Sequence, residues 1–173
     1  MKYLFSLSMM SLLLCITTSS FAQGDKSKRP SPPAFVKQDI GGRQISIDYS
    51  QPSVKGRTIG ADLEPKDGEV WRTGANEATV FEIDNDVKVE GKGLLKGKYA
   101  LFTLVNGDEW TIIFNKTWKQ WGAFKYNEAE DALRVKVKAS KAESFAEKMT
   151  FTISEDGKVT LFWGDRKVEF RVR

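Results

Sequence analysis

"FVKQDIGGRQISIDY", residues 35–49, decides the fold class. Two short arms flank Gly41-Gly42, and a glycine pair suits a two-residue hairpin turn, whose central positions take positive φ. In the second arm Ile45, Ile47 and Tyr49 alternate with Gln44, Ser46 and Asp48. That period of two sets one face toward a core and the other toward water. A ribbon with one apolar face must bury it against another layer, so the hairpin implies a packed β-protein.

The same period runs outward from the hairpin. Residues 78–83, 87–89, 98–105, 110–115 and 133–139 all read as strands, and 149–154, 158–163 and 167–172 form a terminal meander. Asp84-Asn85, Asn106-Gly107-Asp108, Asp156-Gly157 and Gly164-Asp165 supply turns between them. Segment 98–105 sets Tyr99, Leu101, Thr103 and Val105 against Ala100, Phe102 and Leu104. It is apolar on both faces and so belongs in the middle of a sheet. "SKAESFAEK" at 140–148 reads as a helical turn or a polar crossover. The expectation is an all-β protein, an antiparallel β-sandwich or flattened barrel of about 8–10 strands. Two irregular loops, 50–77 and 116–131, interrupt it.

The ends and the charge set bounds on function. Lys2, the apolar run at 4–16 and Ser20-Phe21-Ala22 have the layout of a secretory signal peptide over residues 1–22. The run is too short to serve as a membrane span. Leu14 stands before Cys15 where a lipid-attachment signal places a small residue, so export without a lipid anchor, to the periplasm or beyond, is expected. Residues 23–33, "QGDKSKRPSPP", read as a flexible lead-in, and 34–173 as one all-β domain. The single cysteine falls in the leader and the chain has no histidine. Cys-His and Ser-His nucleophiles and thiolate or imidazole zinc sites are therefore excluded. No cofactor and no metal is expected. The formal charge of +4 is spread among interspersed acids and bases. "RVKVK" at 134–138 puts Arg134, Lys136 and Lys138 on one face, yet the aromatic pattern of single-strand binders is missing, which argues against nucleic acid.

Six stretches carry a family resemblance. "SQPSVKGRTIG" at 50–60, "VWRTGANEAT" at 70–79, "KGKYALFTL" at 96–104, "EWTIIFNK" at 109–116, "WGAFKY" at 121–126 and "DALRVKVK" at 131–138 occur in order along the chain. The chain resembles the exported bacterial proteins grouped as domain of unknown function 2911. That label implies no activity, substrate or catalytic residue. "EPKDGE" at 64–69 departs from the family pattern by lacking a tyrosine beside its proline-glycine turn.

Candidate site residues gather in "EVWRTGANEATVFEI", residues 69–83. Arg72 offers a planar fork for a carboxylate or phosphate, and Trp71 a flat face for a sugar or base. Asn76 and Glu77 can donate and accept around a polar ligand, and Gly74 allows close backbone approach. The same residues also suit a buttressed corner, with Trp71 anchoring the loop, Arg72 paired internally and Asn76 capping the turn. In the second loop Trp121 and Tyr126, with Trp118 and Phe124, could form a stacking platform. The expectation, however, is a plug for one end of the sandwich, with at most one or two rings at the surface.

Acid chemistry is thinly supported. Glu77 and Glu82 would face opposite sides of one strand, and nothing in the sequence sets a second acid beside Glu77. "DND" at 84–86 reads as a turn, since the other ligands of a calcium loop are missing. The leading expectation is a non-catalytic binding module for a polar, partly flat ligand such as a glycan, held where the two loops meet. A hydrolase using Glu77 and Arg72, and an envelope subunit docking a protein partner, are the alternatives.

Overall fold

A computed structural model describes residues 25–173, so the signal peptide expected at residues 1–22 lies outside the described residues. The hairpin forms as expected. β1 (Pro33–Asp39) and β2 (Gln44–Ser50) pair antiparallel with Asp39 opposite Gln44, and the Ile40 amide donates to the Arg43 carbonyl at 2.8 Å across Gly41-Gly42. Ile45, Ile47 and Tyr49 are buried and Asp48 faces out.

Eight more strands follow: β3 (Val70–Trp71), β4 (Thr79–Ile83), β5 (Val87–Val89), β6 (Lys92–Leu94), β7 (Gly97–Asn106), β8 (Glu109–Asn115), β9 (Asp131–Ile153) and β10 (Lys158–Arg171). The main sheet runs β1-β2-β4-β7-β8-β9-β10, and β5 and β6 form a small sheet of their own. The sheet curls into an antiparallel half-barrel, in keeping with an all-β sandwich or flattened barrel. The curl encloses a core of Ile45, Ile47, Phe81, Leu101, Trp110, Phe114, Trp163 and Phe170. β7 is the central strand, and its two-sided apolar pattern has a partner on each side. Leu101 joins the main core, whereas Ala100 and Phe102 face a second cluster with Ala78 and Ile113.

Two local expectations are corrected. Residues 140–148 form neither a helical turn nor a crossover, because β9 continues through them against β10. Gly164 opens no hairpin either. Its positive φ of 62° places it in a bulge, where the register slips on both sides and β10 carries on.

The stretch that drew attention in the sequence is an excursion from the sheet. Trp71 pairs with Thr103 and Thr79 with Leu101, so β3 and β4 lie along the same edge of β7. The chain leaves that edge after Trp71 and returns at Thr79. Hydroxyl bonds close the gap: Thr73 donates to Thr103 at 3.2 Å, and Thr79 donates to the Thr73 carbonyl at 2.7 Å. Gly74 is needed here for space. A Cβ on it would sit 2.9 Å from Thr79 Oγ1 and 3.2 Å from the Ser50 carbonyl. Its glycine serves packing inside the excursion.

Candidate functional site

The excursion ends beside the second irregular loop and is stitched to it through the backbone. Glu77 bridges Trp121, the Gly122 amide donates to the Asn76 carbonyl at 3.0 Å, and the Ala78 amide donates to the Gln120 carbonyl at 3.0 Å. Between this seam and the outer face of β2 lies a pocket of about 420 Å3, lined among others by Asp48, Glu77, Trp118, Gln120 and Trp121. Its size falls within the range of small-molecule sites. The chain before β1 forms the remaining wall. One turn of 3₁₀ helix, Lys26–Lys28, brings Lys26 and Arg29 over the opening.

The electrostatics centre on Glu77. Arg29 Nη1 donates to both carboxylate oxygens, at 2.8 and 3.1 Å, and Lys26 Nζ lies 3.1 Å from Oε1. The Arg29 guanidinium also sits over the Trp121 ring, 5.8 Å from its centroid. Partial burial pushes the Glu77 carboxyl up. Bonds from its own backbone amide, Lys26 and Arg29 outweigh that, and the net result lies below the ordinary value. Asp48 moves the other way. Loss of hydration against the pocket wall raises its carboxyl, the Glu77 charge adds to this, and Lys26 and Lys98 oppose it. Lys98 in turn pairs with Glu82 at 3.1 Å and lies 5.4 Å from the Trp118 ring centroid.

The expected site residues divide into two groups. Glu77 and Trp121 meet in the pocket, and Asn76 holds the wall behind it: its side-chain amide donates to the Ser31 carbonyl at 3.0 Å. Trp71, Arg72 and Tyr126 do not reach the pocket. Trp71 is buried, donates from Nε1 to the Gly74 carbonyl at 3.0 Å and stands edge-on to Trp110. It anchors the excursion from below. Arg72 is half-buried with its Nε lacking a hydrogen-bond partner, and desolvation lowers its pKa against the pull of the Glu64 charge. Tyr126 packs edge-on against Phe102 and donates from its hydroxyl to Asp131 at 2.7 Å. Asp131 also takes Arg134 Nε at 2.7 Å and the buried Asn115 amide at 2.8 Å. This network fixes the base of residues 116–131.

The plug reading of that loop is overturned. Trp118, Trp121 and Phe124 are 37%, 55% and 84% exposed. Trp71, Trp110 and Phe102 already fill the adjoining core, and of the four loop rings only Tyr126 packs against it. Asp48, Lys26 and Arg29 were missed as site residues. Asp48 shows its outward position in the hairpin alternation, but its closeness to Glu77 depends on β2 pairing with β4, where Asp48 faces Val80. No sequence pattern announces the reach of Lys26 and Arg29 back to Glu77, 48 residues away in the case of Arg29. The "DND" turn holds backbone: Asp84 accepts from the Gln44 amide and Asp86 from the Lys96 amide, both at 2.8 Å. Among the described residues no cluster of three metal-ligating side chains occurs, and no helix is long and apolar enough to cross a membrane.

Fold and site together define a curled all-β protein with one aromatic and acidic pocket at a seam between two loops. The chain belongs to the family described as protein of unknown function, DUF2911, whose model matches residues 31–172. No curated protein and no solved structure matches it.

Proposed function

We propose that the protein is an exported binding module and that the pocket between Glu77 and Trp121 holds a glycan. The observation that carries this reading is the pair of solvent-facing indoles, Trp118 and Trp121, on a pocket that also presents Asp48, Glu77 and Gln120. Flat aromatic faces stack on the apolar faces of sugar rings, while carboxylates and amides take the hydroxyl protons. The leader layout at residues 1–22 supports export, which would bring polysaccharide within reach. Calorimetry of the purified protein against a panel of neutral, acidic and amino-sugar oligosaccharides tests the reading. Saturable binding that is lost in Trp121→Ala supports it, and a panel without any binder rejects it.

Asp48 favours a second reading, that of a hydrolase. It lines the same pocket as Glu77, and the two carboxyls are shifted in opposite directions. A raised and a lowered carboxyl are the division of labour that glycoside cleavage requires, one acting as acid toward the leaving oxygen and one as base or nucleophile. Release of new reducing ends from a bound oligosaccharide, abolished in Asp48→Asn, would move the protein into that class.

A further inference from the structure

The contacts of Arg29 bear on what the pocket takes. Its guanidinium lies between the Glu77 carboxylate and the Trp121 face, an anion on one side and a π-face near the other. That pairing is how proteins hold organic cations. The groups contributed by the β-framework and the 116–131 loop are mainly acceptors. Asp48 has no hydrogen-bond or ion-pair partner among the described residues. Gln120 Oε1 is buried with no hydrogen-bond partner, and Glu77 is occupied only by the arm residues Lys26 and Arg29 and by its own backbone. Lys119 is the one cation that the loop adds to the lining, while Lys98 is engaged with Glu82 and Trp118. Without the arm, the site is two carboxylates, an unpaired amide oxygen, two indoles and a single cation, Lys119. Such a set selects a ligand rich in donors and positively charged.

We infer that the pocket is a seat for an ammonium-bearing sugar, and that Arg29 fills this seat in the unliganded chain. This rests on the glycan reading above and narrows it to amino sugars whose nitrogen is free. The indoles would stack on the ring while Glu77 and Asp48 receive the ammonium and Gln120 Oε1 takes a hydroxyl proton. The arm holds its place through few bonds: the Lys26 and Arg29 contacts to Glu77, the Ser31 carbonyl to Asn76, and the Pro32 carbonyl to the Gln51 amide at 2.8 Å. A ligand competing with a tethered group binds more weakly by the fraction of time the seat is taken. The tether raises the local concentration of that competitor.

The test compares a fully deacetylated, β-linked glucosamine tetrasaccharide with its N-acetylated counterpart by calorimetry, in mildly acidic buffer that protonates the sugar amines. The deacetylated sugar should bind on the order of tenfold tighter, the advantage expected of one cation placed against a carboxylate and an indole. Glu77→Gln should erase that preference, bringing the two sugars to comparable affinity. The double variant Lys26→Ala/Arg29→Ala should bind the deacetylated sugar several-fold tighter than wild type, since the competitor is gone. Equal affinity for the two sugars, still dependent on Trp121, would overturn the cation seat and leave the glycan reading standing. Binding of neither would remove both. Preference for an arginine-containing peptide over both sugars would overturn the sugar as occupant.

Discussion

The Asn76 side-chain amide donates to the Ser31 carbonyl at 3.0 Å, tying the arm before β1 to the tip of the excursion between β3 and β4. Asn76 also sits at a φ of 56°, in the left-handed region that asparagine tolerates better than most residues. Alanine would lose the bond and keep the strained backbone. Asn76→Ala should therefore lower stability by on the order of 1–3 kcal/mol. Glu77, one residue on, engages partly exposed partners, and such pairs contribute little. Glu77→Gln should stay within about 0.5 kcal/mol of wild type. Thermal melts of the two variants check this, and equal large losses would show that Glu77 is part of the structural corner.

Tyr126 supports the opposite wall of the pocket without touching it. Its hydroxyl donates to Asp131 and receives a bond from Arg134. Tyr126→Phe removes both hydrogen bonds at the base of the loop and should cost about 1–2 kcal/mol. Desolvation, and then the Asp131 carboxylate, push the Tyr126 hydroxyl up to about 12, against the favourable pull of Arg134. A raised folded-state value means that its contribution is complete below the ordinary tyrosine range. It is lost as pH rises through about 12. Spectrophotometric titration should show tyrosine absorbance appearing late, since burial also raises Tyr49 and Tyr99, and Tyr126→Phe should remove the latest part and soften the alkaline loss of stability.

Gly157 gives a prediction free of the pocket. Its φ is 79°, and a Cβ there would run into the Val172 carbonyl. The same turn receives the Val172 amide at 2.8 Å on its own carbonyl. Gly157→Ala meets both a backbone clash and a left-handed penalty, and should cost on the order of 3 kcal/mol. Alanine at Gly41, where a Cβ meets nothing within 4 Å, provides the control for φ alone. Chemical denaturation of both variants measures the difference.

The parts of this fold that could be read from the sequence are those whose signal is local. The Gly41-Gly42 hairpin, the central position of β7 and the inward row Trp110, Ile112 and Phe114 all follow from alternation that one strand carries by itself. Residues 140–148 could not be read so. Their Ala, Glu and Lys content favours a helix, yet pairing with β10 holds them extended, and tertiary pairing outweighs propensity. β6 was hidden for a similar reason: Lys92, Gly93 and Leu94 have no alternation long enough to recognise, and only Val87 and Val89 opposite them define the pair. The site follows the same division. Glu77 and Trp121 stood out by type, but their union with Asp48 and Arg29 depends on pairings across the sheet and along the arm.

Acid should undo the arm through Glu77. Loss of hydration raises the Asp48 carboxyl, whereas Glu77, despite a burial effect in the same direction, is held below its ordinary value by its backbone amide, Lys26 and Arg29. On acidification both carboxyls take up protons, with opposite effects on stability. A raised folded-state pKa contributes stability that is present on the acid side and lost as pH rises through it, so protonation of Asp48 favours the folded chain. Glu77 has the opposite sign. Its contribution is present above the ordinary glutamate range and is lost as pH falls through the lowered folded-state value. Once Glu77 is protonated the link to Lys26 and Arg29 is lost, and Arg29 should leave the Trp121 face. Tryptophan fluorescence followed through an acid titration should then show a transition well before global unfolding. It should be absent from Trp121→Phe and shifted away in Arg29→Ala, whereas Asp48→Asn should leave it in place and remove only the stability gained on protonation of Asp48. A fluorescence transition that coincides with unfolding in every variant would show that the arm is a fixed part of the domain.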